Sequence, residues 1–143
     1  MKQKNVRRTL FAAVLTLAAS AAYGQENGTT AKIPFAFRAV GSDFPAGQYR
    51  VGAMTGSSGD LQLQNMDTGK TAFIRSKAPL TSGDTESKEV RPRLIFECGG
   101  EEGCSLATLW TGTGRGMEFA TPKLTANQRE RRETIYLDRF KDK

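Results

Sequence analysis

RLIFECGGEEGCSLATLW, residues 93–110, carries two apolar runs and both cysteines of the 143-residue chain. Cys98 closes the first run and Cys104 opens the second. The five residues between them, Gly99 to Gly103, are mostly glycine and suit a hairpin loop. If Cys98 lies opposite Cys104, Phe96 falls opposite Leu106, Leu94 opposite Thr108 and Pro92 opposite Trp110. The pairing that joins the two sulfurs thus also builds one apolar face, as expected of two antiparallel strands over a core.

Outward from this hairpin, the same period of two recurs. Ile33, Phe35 and Phe37 alternate in IPFAFRAV, with Pro34 suited to a strand start or an edge. Phe44-Pro45-Ala46-Gly47 fits a type I turn, and Tyr49, Val51 and Ala53 alternate after it. Leu61 and Leu63 alternate ahead of Asp67-Thr68-Gly69-Lys70, which supplies turn chemistry, and TAFIRS leads back out, so residues 61–76 read as a hairpin. Residues 77–92 are polar, hold two prolines and read as a surface loop. MEFA and TIYLDRF are further strand candidates. Thr125-Ala126-Asn127-Gln128 has the capping-box form, so ANQRERRE is predicted as one short surface helix. The predicted fold is all-β and mainly antiparallel, a small sandwich or barrel with that one helix near the C-terminus.

The N-terminus reads differently. Lys2, Lys4, Arg7 and Arg8 precede an uncharged run from Thr9 to Ala22, with small residues at Ala19, Ala21, Ala22 and Gly24. That is the pattern of a secretory signal, and the run is too short for a transmembrane helix. The expected organisation is therefore a signal over 1–24, a flexible segment over 25–32 and a single β domain over 33–143. The full chain holds 21 Lys and Arg against 15 Asp and Glu, net +6. The four cations of the signal, and none of the anions, lie before Gln25. The remainder counts 17 against 15, net +2. Such a chain has little long-range attraction for polyanions, and no nucleic-acid partner is expected.

Export places the cysteines where disulfides persist. A Cys98–Cys104 disulfide is the expected state, with free thiols the alternative. Zinc needs four ligands, and the chain has no histidine. A redox couple favours the C-x-x-C spacing, which is absent here. The lack of histidine also removes the usual Ser-His and Cys-His nucleophilic pairs. Glu101 and Glu102 are neighbouring carboxylates, but they sit on a loop tip. Gly112-Thr113-Gly114-Arg115-Gly116 lacks the Lys-Ser/Thr ending of a phosphate loop. Arg129, Arg131 and Arg132 are interrupted by Glu130 and Glu133, as on a solvated face. No catalytic residue, metal ligand or cofactor is predicted.

IPFAFRAVGSDFPAGQYRV, followed by DTGK, RLIFEC and LATLW with TGTGRGMEF, resembles a group of small exported β proteins of soil bacteria. The match covers residues 33–120. The group has no established activity, so the resemblance implies fold and export and assigns no site residue.

The functional expectation is an exported, periplasmic or extracellular, non-enzymatic binding or structural module of the cell envelope, without a transmembrane anchor in its mature chain. Its contact is expected through an edge strand, with a protein partner or by self-association, and TIYLDRF is the candidate edge. One alternative is a barrel holding a small apolar ligand inside. The other is a glycan hydrolase working through carboxylates.

Overall fold

A computed structural model describes residues 28–53, 59–81, 91–101, 103–112, 114–124 and 131–139. Among these residues there are strands and no helix. One sheet has the order β12-β1-β4-β5-β6. Its strands are β1 (Thr29–Ile33), β4 (Gly47–Ala53), β5 (Asp60–Asn65), β6 (Thr71–Arg75) and β12 (Asp138–Arg139). The second sheet has the order β11-β8-β9-β10-β7. Its strands are β7 (Ala78–Thr81), β8 (Arg93–Cys98), β9 (Cys104–Trp110), β10 (Arg115–Glu118) and β11 (Arg131–Tyr136). A short hairpin, β2 (Phe37–Ala39) with β3 (Ser42–Phe44), joins the second sheet through a parallel pairing of β2 with β9. All other pairings among the described residues are antiparallel. The arrangement is sandwich-like, as the alternating patterns predict.

Four chain segments pass from one sheet to the other. Pro34 has no N–H to donate, and β1 ends at Ile33; the chain then crosses to β2. The IPFAF alternation therefore spans two strands in different sheets, with Ile33 and Phe37 both buried. Pro45-Ala46 carries the chain back from β3 to β4. Ser76-Lys77 bends it from β6 to β7, where Lys77 N–H bonds Glu118 O at 2.7 Å. Buried Leu137 bends it from β11 to β12, its N–H bonding Pro92 O at 2.9 Å. Both flanks of the sandwich are thus closed by single bent segments that pair first with one sheet and then with the other, a known way of turning β corners.

The interior is filled. Tyr49, Phe96, Ile33 and the leucines at 61, 63, 94, 106 and 109 are fully buried. Phe37 stacks on Phe44 at 5.1 Å and meets Tyr49 and Phe96 edge-on at 5.5 and 5.2 Å. The predicted β8–β9 register holds from Cys98–Cys104 to Phe96–Leu106 and then shifts by one residue. Ala107 is left unopposed, a β-bulge. Its carbonyl accepts Phe119 N–H at 2.8 Å. Beyond it Leu94 faces Leu109 and Arg93 faces Trp110. The bulge lets Leu106 and Leu109, three residues apart, both enter the core.

Three expectations need correction. The predicted C-terminal helix is not found: Arg131, Arg132 and Glu133 belong to β11, and residues 125–130 lie outside the described residues. ANQRERRE has no apolar face to bury as a helix, whereas an extended 131–136 pairs with β8 and turns Ile135 and Leu137 towards the core. The segment expected to be flexible over 25–32 is strand from Thr29 onward, because its backbone pairs with β4 and buries Ala31. Residues 78–81, expected as loop, form β7 at the end of a sheet, a position that tolerates Pro79. The signal over 1–24 lies outside the described residues.

Candidate functional site

The two cysteines form a disulfide with Cα atoms 3.9 Å apart. Gly99 N–H bonds Gly103 O at 2.9 Å. The cysteines therefore occupy the adjacent non-hydrogen-bonded position of the ladder, where opposed residues come closest. Gly100 and Gly103 have φ of 68° and 74°, which glycine adopts without strain. Both sulfurs face the core. The disulfide is a clasp on a hairpin. Glu101 is exposed at its tip, and Glu102 lies outside the described residues.

At the opposite end of the sandwich lies an open cleft of about 610 Å³. Val51, Leu109 and Leu137 give it an apolar part, while Thr29, Arg50 and Gln62 make much of the rest polar. It is a mouth between sheets, distinct from the filled core.

Tyr49 is buried, and its hydroxyl donates to Pro45 O at 2.6 Å while accepting from Asn65 Nδ2 at 3.2 Å. Loss of solvent pushes the phenol above its usual 10.0. The Asn65 bond opposes this, and the charge of Asp67 adds to it. Asn65 Oδ1 in turn accepts Asp67 and Thr68 N–H at 2.9 and 3.1 Å. This network fastens the β5–β6 turn to the Pro45 corner, and neither Tyr49 nor Asn65 lines that cleft. Among the described residues, no group of three His, Cys, Asp or Glu side chains could hold a metal ion, and no helix is long and apolar enough to cross a membrane. Gly112 and Gly114 belong to a strand connection closed by Thr111 N–H to Arg115 O at 2.9 Å.

The outer edges of the two sheets are a further surface feature. The candidate edge TIYLDRF is divided: β11 ends one sheet, β12 ends the other, and Phe140 lies outside the described residues. Asp138 and Arg139 are exposed on β12, with Asp138 held by Arg91 at 3.3 Å. The other end of the first sheet is β6, whose Phe73 is 62% exposed. Sequence reading overlooks this residue, although a signal was present. The Asp67–Lys70 turn sets Leu61 opposite Ile74 and Leu63 opposite Ala72. With both leucines inward, Phe73 must point out.

No known protein family, curated protein or solved structure matches the chain.

Proposed function

We propose that this protein is an exported, non-enzymatic binding or structural module of the cell envelope that works by strand-edge contact with a second copy of itself. Export rests on the N-terminal pattern, and a disulfide is compatible with it. The filled interior favours surface contact over an enclosed apolar ligand.

The observation that carries the contact is the outer edge of β6. Asn65 N–H bonds Lys70 O, and Met66 N–H bonds Gln48 O, both at 2.8 Å. These bonds fix the ladder phase: Leu61 and Leu63 turn their backbone groups towards β6, and Ala72 and Ile74 answer them. Thr71, Phe73 and Arg75 therefore point their N–H and C=O groups away from β5. Among the described residues no strand receives them. Antiparallel pairing of β6 with itself about Phe73 sets Phe73 opposite Phe73 and Thr71 opposite Arg75 of the second copy. In that register the residues with outward groups meet one another, and the two phenyl rings cover each other on one face.

Other edges carry the devices that discourage pairing. β11 has Arg131, Arg132 and Glu133; β7 has Pro79; β3 and β12 are short and charged. β6 runs Thr-Ala-Phe-Ile before its first charge, Arg75. Residue-resolved hydrogen exchange tests the reading. The amides of Thr71, Phe73 and Arg75 are expected to slow as protein concentration rises. Equal, fast exchange at every concentration would contradict it.

A further inference from the structure

On the solvent face of the second sheet, directly opposed residues of successive strands form the row Tyr136, Arg93, Trp110, Gly116. Their chain neighbours Leu94 and Leu109 are buried, so the row faces outward. Tyr136 is 49% exposed. The Arg91 guanidinium lies over its ring, 4.8 Å from the centroid, and is also bonded to Asp138. The Arg93 guanidinium lies 5.9 Å from the centre of the Trp110 ring. Among the described residues Arg93 makes no ion pair.

Gly116 explains how the indole is held. A Cβ there would lie 2.9 Å from Trp110 Cε3, 3.1 Å from Cδ2 and 2.6 Å from Leu109 O. The ring occupies the space a side chain would take, so the missing Cβ lets it rest against the sheet. The result is a shallow platform: two aromatic rings on strands two spacings apart, about 10 Å, with between them a guanidinium that makes no ion pair among the described residues.

We propose that this platform binds an acidic polysaccharide, a glycan chain bearing uronate groups. The exposed part of Tyr136 and the outward rim of the half-buried Trp110 offer apolar surface to the C–H faces of sugars, and Arg93 offers a fork to a carboxylate. A flat row spanning three strands suits an extended polymer better than a compact ligand, which calls for a concave site. Single-stranded nucleic acid would also stack, but it needs several cations along its phosphates. Of the two guanidinium groups that lie at these rings, Arg91 is already met by Asp138, which leaves Arg93, and one guanidinium suits the sparser charge of a uronate chain. This face belongs to the sheet opposite β6 and does not depend on the pairing proposed there.

Trp110 is the only tryptophan of the chain, so its emission reports on this site alone. Titration of the full-length protein with polygalacturonate is expected to shift or quench that emission saturably, and dextran is expected to leave it unchanged. Arg93→Gln should weaken binding about tenfold, the loss of one charge-assisted contact. Tyr136→Ala, at an exposed position, should weaken it with an unchanged circular dichroism spectrum. Arg93→Lys, which keeps the charge, should retain part of the affinity. Unchanged Trp110 emission with polygalacturonate would overturn the proposal. So would undiminished binding by folded Tyr136→Ala, or tighter binding of oligothymidylate than of polygalacturonate.

Discussion

Tyr49 joins two distant turns through one oxygen. Its hydroxyl donates to Pro45 O and accepts from Asn65, whose buried side chain cannot turn to water freely. Tyr49→Phe is expected to cost about 1–2 kcal/mol at neutral pH, because Asn65 Nδ2 and Pro45 O each lose a partner. The phenol also sets a pH dependence. Its folded value is raised, so the unfolded chain ionises first. The contribution is complete below the unfolded value of 10.0 and is lost as pH rises through the folded one. Urea unfolding at pH 7 and pH 11 should therefore show a smaller gap between wild type and Tyr49→Phe at the higher pH. Val40 is the opposite kind of residue. It has φ of 44° beside Gly41 at 81°, so the β2–β3 hairpin turns through two residues of positive φ, and a β-branched side chain occupies the first. Val40→Asn is expected to raise stability by about 1 kcal/mol, read as a higher urea midpoint at unchanged slope.

The elements were legible where pattern and turn chemistry agreed. Leu61 and Leu63 alternate before Asp67-Thr68-Gly69-Lys70, and Gly69 takes the φ of 74° that such a turn favours. The cysteine hairpin was legible from its two apolar runs and loop length. Replacing Cys98 and Cys104 together by serine should lower stability by about 2 kcal/mol while the hairpin and the fold persist, as measured by denaturation under non-reducing conditions. The Ala107 bulge was not legible, because Leu106 and Leu109 obey no period of two and only the tertiary bond from Phe119 holds the extra residue. The β2–β3 hairpin was hidden because Val40-Gly41 is not the Asn-Gly of a recognisable tight turn. Arg131 to Glu133 look helical because a polar run carries no periodic signal; their pairing with Cys98, Glu97 and Phe96 decides the matter. The candidate contact was legible only in kind. An edge strand follows from an all-β chain, but which edge is open depends on the sheet order.

At the scale of the whole molecule, each sheet still ends in strands that receive no further partner among the described residues. Bent segments at Ser76-Lys77 and Leu137 tie the sheets together, and the remaining edges are short, charged or marked by proline. β6 is the exception, with its outward backbone groups centred on an exposed Phe73. The Phe73 N–H points away from β5, so Phe73→Pro removes an outward donor while the β5–β6 ladder keeps its bonds. Sedimentation equilibrium of the wild-type protein beside Phe73→Pro, with matching circular dichroism spectra, is the most direct test of the account. It predicts a concentration-dependent dimer for the wild type and a monomer for the variant. A wild type that stays monomeric over the whole concentration range, or a variant that dimerises as strongly, would contradict it.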